Sequence, residues 1–266
     1  MKIAIIGFGN MGQTYANSFM SSGFVGASDI LILNKIAVAE KDSYGIELVN
    51  FYTQPNPKIF ESDILILAVK PQDFKQLAFE IKAFLHPDHV VLSVMAGISI
   101  EAMQKELGVA KIVRSMPNIP TQIGQGMTVF CASSAVDRKE LFIVQNLINT
   151  TGKSIYIEKE EMLNAATAVS GSGPAYVFYF MQAMIESAIK LGFTASEAEF
   201  LVSQTFSGSV QLQNRSKLSN EAWIQRVASK GGTTEAALSV FNQNKLQQIV
   251  IDGIEAANLR AIELGA

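Results

Sequence analysis

Three glycine-rich stretches of this chain carry residue types that bind small anions. They are Gly7-Phe8-Gly9-Asn10-Met11-Gly12, Ser170-Gly171-Ser172-Gly173-Pro174 and Ser229-Lys230-Gly231-Gly232-Thr233-Thr234. Each precedes a segment with a helical pattern, and the first turn of a helix leaves backbone N–H groups without partners. Those groups can face a phosphate or a carboxylate. An isolated Gly/Ser stretch is commonly a plain linker, but the presence of three such sites in one chain favours ligand binding.

The first stretch has the context of a dinucleotide site. It follows the apolar, β-branched run Lys2–Ile6 and opens a helix that we expect to reach about Ser22. In such a motif the first glycine permits a tight turn and the second lets a pyrophosphate approach the backbone. The third allows close packing of helix on strand. This context favours dinucleotide binding over a purely structural turn.

The end of the second predicted strand indicates which dinucleotide binds. Ile30–Leu33 is followed by Asn34 and Lys35, where NAD-preferring sites have an acidic residue for the ribose 2′-OH. Asn34 can donate to a 2′-phosphate and Lys35 can pair with it, whereas a carboxylate would repel it. The sequence therefore favours NADPH, with NADH possible; the alternative is a solvated lysine at a strand end.

The elements that must position these residues fall into two regions. Further strands are predicted over 47–51, 63–69, 89–94, 111–115, 126–132 and 152–158. With the first two, they indicate a doubly wound, mostly parallel sheet of about eight strands in an α/β domain. Ligands bind such sheets at the carboxyl ends of the strands, which places Ala68, Val69 and Lys70 near the cofactor. Beyond residue 160 the pattern is helical, which predicts a Rossmann domain over 1–160 and an all-α domain over 161–266.

The helical region contains one element that is apolar on most faces. The helix predicted over Pro174–Leu191 is interrupted only by Gln182, Glu186 and Lys190. It falls short of the roughly 20 apolar residues that span a bilayer, so we expect no membrane segment. Burial in a core shared with a second subunit explains it better, which predicts a homodimer. Thr194–Glu197 has capping-box spacing for the next helix, and a last helix is expected over Lys245–Leu264.

Composition excludes several other classes of function. The net charge is −3, 17% of residues are charged, and no Lys/Arg cluster is present, so no nucleic-acid partner is expected. Cys131 is the single cysteine, which fits a reducing cytoplasm. His86 and His89 lie in a predicted turn without a carboxylate cluster, which predicts a solvated loop and no metal site.

Six motifs, taken in order, resemble one enzyme family. They are GFGNMG at 7–12 (read from Gly7), AVKPQ at 68–72, AGIS at 96–99, MPN at 116–118, SGSGPAY at 170–176 and GGTT at 231–234. Together they closely resemble Δ1-pyrroline-5-carboxylate reductase, over essentially the full length. The resemblance implies NAD(P)H-dependent reduction of a cyclic imine to L-proline, the last step of proline biosynthesis. It also implies a helical dimerisation domain, and dimers that can assemble further into rings.

Site residues carried over by motif fall into three groups. The implied cofactor contacts are Gly7, Phe8, Gly9, Asn10, Met11, Asn34, Lys35, Asn56, Ala68, Val69, Lys70 and Ala96. The implied substrate contacts are Ser229, Gly231, Gly232, Thr233 and Thr234, with the substrate between the nicotinamide and this loop. Thr234 and Ser172 are the candidate catalytic residues.

The chemistry of an imine reduction agrees with these residues. A cyclic imine needs a hydride donor and a carboxylate anchor, since its nitrogen can be protonated before hydride arrives. The Gly231 and Gly232 amides can hold the carboxylate, and the Thr234 hydroxyl can bond the ring nitrogen. The alternative is that Thr234 merely caps the helix that starts there.

Two positions depart from the family pattern, and two other functions compete. Lys230 stands where proline is usual, which we expect to loosen the loop, and Met95 stands where alanine is usual, which we expect to crowd the nicotinamide. A hydroxyacid dehydrogenase would use a lysine followed four residues later by asparagine, and no lysine here has that spacing. A non-catalytic NADPH sensor would not need SGSGPAY or GGTT.

Overall fold

The computed structural model describes residues 1–265 and divides into two compact units. One contains residues 1–172 together with the C-terminal segment from residue 257, and the other contains residues 173–256. The predicted domain boundary at residue 160 stays a prediction, because compactness of contacts does not define a functional domain.

The first unit is built on one eight-stranded sheet with the order β3-β2-β1-β4-β5-β6-β7-β8. Neighbouring strands are parallel except for β6 and β7, which are antiparallel. The strands are β1 (Ile3–Ile6), β2 (Ile30–Leu33), β3 (Phe51–Tyr52), β4 (Ile64–Leu67), β5 (Val90–Ser93), β6 (Ile112–Met116), β7 (Gly126–Ala132) and β8 (Gly152–Tyr156). The predicted α/β, mostly parallel sheet is therefore confirmed.

Helices cover both faces of this sheet, as its continuous apolar strands require. The four residues of β1, β2, β4 and β5 are all buried, and their alternating side chains contribute to two core clusters. The helices of the first unit are α1 (Asn10–Ser21), α2 (Phe74–Ile81), α3 (Ile100–Leu107), α4 (Arg138–Asn149) and α5 (Met162–Ala166).

The strand predicted over Glu47–Phe51 is wrong in its bounds. Residues Leu48–Asn50 form a 3-10 turn, and β3 consists only of Phe51 and Tyr52. This strand pairs with β2 only at Ile32 and Leu33, so few ladder hydrogen bonds are available to extend it. The apolar pattern of residues 47–51 did not reveal that the edge of the sheet ends here.

The prediction that both histidines lie in a solvated loop is wrong for His89. Its side chain is buried, with only 6% of its surface exposed. Its Nδ1 accepts from the His86 backbone N–H at 2.9 Å, and its Nε2 donates to the Phe60 carbonyl oxygen at 2.8 Å. His89 is therefore a neutral residue that joins two loops at the amino ends of β4 and β5.

The Ser-Gly-Ser bend is part of a helical segment and not a flexible loop. A π-helical turn, Thr167–Gly171, follows α5 directly, and the Ser172 N–H donates to the Thr167 carbonyl oxygen at 2.8 Å. The expected set of free N–H groups is therefore reduced at this bend. π-helical turns are frequent at functional sites, so the bend remains a candidate part of a functional site.

The second unit is helical and buries almost no side chains of its own. Its helices are α6 (Gly173–Lys190), α7 (Ala195–Asn214), α8 (Asn220–Val227), α9 (Thr233–Gln243) and α10 (Leu246–Leu264), the last of which ends in the first unit. The predicted capping box of α7 forms between Thr194 and Glu197. Among the residues described, none of the helices has the length and apolar character needed to cross a bilayer.

Candidate functional site

A pocket of about 320 Å³ lies at the carboxyl ends of β1, β2 and β4. This is where an open α/β sheet with a change of strand order binds its ligand. Eight of the predicted cofactor residues line it. They are Gly7, Phe8, Gly9, Asn34, Lys35, Ala68, Val69 and Lys70.

The three motif glycines have different surroundings. A Cβ at Gly7 would lie 2.8 Å from the Ala68 backbone, and one at Gly12 would overlap the Gly7 carbonyl oxygen. A Cβ at Gly9 would meet no atom of the described chain within 4 Å, its chain neighbours aside. Gly9 is also the N-cap of α1 and provides no side-chain cap. The open space at Gly9, beside free N–H groups, fits a pyrophosphate.

Asn34 shapes the glycine turn with both ends of its amide. Its Oδ1 accepts from the Phe8 N–H at 3.0 Å, and its Nδ2 donates to the Ile36 carbonyl oxygen at 2.7 Å. One Nδ2 hydrogen remains for a ligand. Lys35 is exposed at the pocket wall and takes part in none of the salt bridges found in residues 1–265. The Lys35 ammonium is therefore available to a ligand in this pocket, and its contact with a 2′-phosphate stays a prediction.

Four predicted cofactor residues lie outside the set that lines this pocket. Asn10 is exposed at the first position of α1, and Met11 packs partly against the core. Asn56 is the N-cap of the 3-10 turn Pro57–Glu61, where its Oδ1 accepts from the Lys58 N–H. Ala96 is exposed in the loop after β5. Their roles in cofactor binding stay predictions.

Met95 does not project into the pocket. Its side chain is 2% exposed and belongs to the core cluster formed with α2 and α3. The backbone N–H of Met95 donates to Ser93 Oγ at 3.2 Å. The expectation that this side chain crowds the nicotinamide is therefore not supported, because methionine here fills the core.

Several lining residues were missed from the sequence. Three of them are Asp73, in the 3-10 turn before α2, and Leu77 and Glu80, in α2. Their spacing of four and then three residues is the helical signal that could have revealed them. Thr53 and Pro55 line it just beyond β3, and they were missed because that strand was misplaced.

The second unit contains the loop that precedes α9, with most of the predicted substrate residues. Gly231 has a φ of +74°, a left-handed conformation that favours glycine. The Gly232 N–H donates to the Ser229 carbonyl oxygen at 3.0 Å, and the Gly231 N–H donates to Glu235 Oε2 at 2.6 Å. Both amides assigned to the substrate carboxylate are therefore engaged within the loop.

The open donors of this loop are one turn further along the chain. Gly232 is the N-cap of α9, and no described side chain caps this helix. The amides of Thr233, Thr234 and Glu235 belong to its first turn, where helical N–H groups have no partner in the helix. Thr234 is the second helical residue and does not cap the helix, so the capping interpretation of Thr234 is wrong.

Ser172 and its neighbours are joined to the loop after β6. Asn118 Nδ2 donates to the Ser170 carbonyl oxygen at 3.1 Å, while its Oδ1 accepts from the Met127 N–H at 2.9 Å. Gly171 packs so closely that a Cβ there would lie 2.7 Å from Met116 Cε. The MPN and SGSG motifs are thus one structural cluster, and the catalytic role of Ser172 stays a prediction.

Neither a metal site nor a reactive thiol is found in the described residues. Within 1–265, no group of three or more His, Cys, Asp or Glu side chains could hold a metal ion. Burial raises the pKa of the Cys131 thiol to about 12, so it is uncharged and unreactive at neutral pH.

The doubly wound sheet and its open glycine turn define a dinucleotide-binding protein, in which a helical unit follows the nucleotide-binding unit. Residues 2–97 match a family model described as NADP oxidoreductase, coenzyme F420-dependent, and residues 160–264 match one described as pyrroline-5-carboxylate reductase dimerisation. These matches confirm the predicted NAD(P)H cofactor and the helical dimerisation domain.

Full-length comparisons identify the family. The chain is 32% identical to the pyrroline-5-carboxylate reductase of Pseudomonas aeruginosa, covering 99% of this chain and 96% of the relative. It is 32% identical to pyrroline-5-carboxylate reductase 2 of Bacillus subtilis, covering 99% and 95%. The chain belongs to the pyrroline-5-carboxylate reductase family. The predicted family and its class, oxidoreductases acting on a C=N bond, are therefore confirmed.

Solved structures agree over the whole chain. A pyrroline-5-carboxylate reductase from Coxiella burnetii is similar with a TM-score of 0.90 and 32% identity, covering 100% of this chain and 98% of the other. The Plasmodium falciparum pyrroline carboxylate reductase, solved with NADP bound, has a TM-score of 0.89 and 26% identity, covering 100% and 98%.

Proposed function

We propose that this protein reduces 1-pyrroline-5-carboxylate to L-proline, with NADPH and one proton consumed for each turnover. The observation that carries the proposal is the pair of glycine N-caps, Gly9 and Gly232, in a chain of this family. Each leaves a helix N-terminus without a side-chain cap. One suits the pyrophosphate of the cofactor and the other suits the carboxylate of the substrate.

The chain's own residues bind and orient both reactants. NADPH, when bound, supplies the hydride that converts the C=N bond to a C–N bond. The amides at the start of α9 hold the substrate carboxylate, and the Thr234 hydroxyl accepts a hydrogen bond from the protonated ring nitrogen. Ser172 is proposed as a second polar group near the reacting ring. Protonation of the imine nitrogen and hydride transfer need no strongly acidic or basic side chain, so positioning of the reactants accounts for most of the rate.

The preference for NADPH over NADH is proposed on the donors that follow β2. Lys35 lines the pocket there, and Asn34 beside it keeps one amide hydrogen free. A 2′-phosphate gains charge-assisted hydrogen bonds from these groups that a 2′-hydroxyl does not gain. NADH lacks only this phosphate and remains a weaker cofactor.

The working assembly is proposed to be a homodimer in the cytoplasm, and these dimers can assemble further into a ring. The matched dimerisation region and the exposed apolar side chains of the second unit support the dimer. The small net negative charge argues against a nucleic-acid partner. The lone, buried Cys131 suits a reducing compartment.

The decisive test is NADPH oxidation by the purified full-length protein. We expect turnover with pyrroline-5-carboxylate and none with a 2-oxo acid or a linear imine. Turnover with the 2-oxo acid instead would indicate a hydroxyacid dehydrogenase. Tight NADPH binding without oxidation in the presence of any of the three would indicate a sensor.

A further inference from the structure

One carboxylate determines the shape of the loop before α9. Of the two hydrogen bonds that close the loop, the bond from Gly232 to Ser229 joins backbone groups. The other joins the Gly231 N–H to Glu235 Oε2 at 2.6 Å and depends on a single side chain. A charge-assisted bond of this length is among the stronger ones in proteins.

The contact resembles the glutamate half of a capping box, moved back by one residue. In α4 and α7 the N-cap side chain and the glutamate at the third helical position each bond the other's backbone N–H. Glu235 holds the same third position in α9, but its N-cap, Gly232, has no side chain. The glutamate reaches one residue further back, to Gly231. The missing half leaves the amides of Thr234 and Glu235 open.

The same loop has little other restraint on its backbone. Gly231 has a positive φ, and two consecutive glycines leave the unbound loop many alternative conformations. Lys230 occupies the position before them, where a proline ring would have fixed φ. Lys230 is the second residue of the turn closed by the Gly232 N–H and the Ser229 carbonyl oxygen, and Gly231, the third, has a positive φ, which is the turn type that favours proline at the second position. Lys230 is not among the residues with positive φ, and its N–H is not among the donors found in residues 1–265.

We propose that Glu235 is a positioning residue for the substrate loop, in place of the restraint that a proline at position 230 would supply. Its carboxylate holds Gly231 so that the first amides of α9 and the Thr234 hydroxyl stay open for the substrate. This inference rests on the proposed function, because the proposed function assigns the substrate to this loop. Without Glu235 the binding-competent conformation of the loop is less populated. The apparent affinity for the substrate then falls in proportion to the population of that conformation.

The test compares Glu235→Ala with Glu235→Gln and with Glu235→Ala in a Lys230→Pro background. We expect Glu235→Ala to raise the KM for pyrroline-5-carboxylate about ten-fold, while the KM for NADPH stays within about two-fold. Glu235→Gln keeps an acceptor oxygen and should lose less than Glu235→Ala, although its neutral amide forms a weaker bond than the carboxylate. The proline should restore most of the loss, because it removes competing loop conformations. Glu199→Ala, an exposed glutamate of α7, is the matched control.

Several outcomes would overturn the proposal. An unchanged KM in Glu235→Ala removes the positioning role. A lowered KM would mean that the carboxylate competes with the substrate. A KM in Glu235→Gln as high as in Glu235→Ala would mean that an acceptor oxygen at this position does not hold the loop. Absence of proline rescue would contradict the restraint argument. If the wild-type protein is inactive, the proposed function is overturned together with this inference. If the wild-type protein is active and one of the results above is found, only this inference is overturned.

Discussion

At the scale of a single residue, Gly9 is a position where a substitution should affect cofactor binding without affecting folding. Its φ of −82° is available to alanine, and a Cβ there meets open space in the described chain. We expect Gly9→Ala to leave the melting temperature of the free protein unchanged. NADPH binding should weaken by on the order of ten-fold or more, because the methyl group occupies the path of the pyrophosphate.

The control for this substitution is Gly12→Ala, which has no room beside the Gly7 carbonyl oxygen and should lower the melting temperature. Thermal denaturation without cofactor and fluorescence titration with NADPH measure the two effects. Unchanged NADPH affinity in Gly9→Ala would place the pyrophosphate elsewhere.

Lys35 should distinguish the two nicotinamide cofactors. An exposed ion pair is typically worth under about 1 kcal/mol, but a phosphate with several donors exceeds that. We expect Lys35→Ala to raise the KM for NADPH by about ten-fold and the KM for NADH by less than about two-fold. Steady-state kinetics with both cofactors measures this ratio, and equal losses would remove Lys35 from the 2′-phosphate site.

Thr234 is the sharpest test of the substrate contact. Because Gly232 is the N-cap of α9, loss of the Thr234 hydroxyl should not cost the helix its cap. We expect Thr234→Ala to lower kcat/KM by on the order of ten-fold or more, with NADPH affinity and melting temperature little changed. A lowered melting temperature with unchanged kcat/KM would return the residue to a structural role.

At the scale of elements, His89 makes the joint between β4 and β5 sensitive to acid. Burial is the largest cause that lowers the pKa of its imidazole below the usual value. A depressed pKa means that its stabilising contribution is present above the unfolded value of about 6.5 and is lost as pH falls below it. The melting temperature should therefore decline as the pH falls from about 7 to about 5.

His86→Gln serves as the control for this pH dependence. We expect His89→Gln to melt at a lower temperature than wild type at neutral pH but to lose less on acidification. His86→Gln should keep the wild-type slope, because His86 contributes its backbone N–H to the joint. Parallel slopes in all three proteins would assign the acid sensitivity to other groups.

At the scale of the whole molecule, the helical unit is incomplete as a single chain. Of residues 173–256, only Ala198 and Val202 are buried hydrophobic residues, whereas Phe178, Tyr179 and Phe200 are more than 60% exposed. A stack of helices needs a shared apolar core. A second copy of the chain supplies one, as the matched dimerisation region indicates.

We expect the protein to be a dimer whose thermal midpoint rises with protein concentration. Phe178→Asp should produce monomers that lose activity, because it places a charge in the shared core. Phe79→Asp changes a phenylalanine on α2 of the first unit that is 82% exposed, against 61% for Phe178, and should leave the dimer intact. Light scattering and gel filtration measure both, and a monodisperse, active wild-type monomer at low concentration would contradict the dimer.

The sequence by itself determined the features that depend on neighbouring residues. The run before Lys70 predicted a buried strand, the spacing of Thr194 and Glu197 predicted a capping box, and three glycines after β1 predicted the cofactor turn. Such signals extend over a few residues, where backbone geometry and side-chain period limit the alternatives. Ordered family motifs added the function for the same reason, since each motif is local.

Only the tertiary structure decided which polar atoms are already engaged. Asn34 bonds the Phe8 N–H across 26 residues, and His89 reaches Phe60 across 29. Even the bond from Gly231 to Glu235 required a loop conformation that the sequence did not specify. Hydrogen-bond partners depend on how elements pack and on where a flexible loop closes, so residue types alone name the donors and acceptors without pairing them.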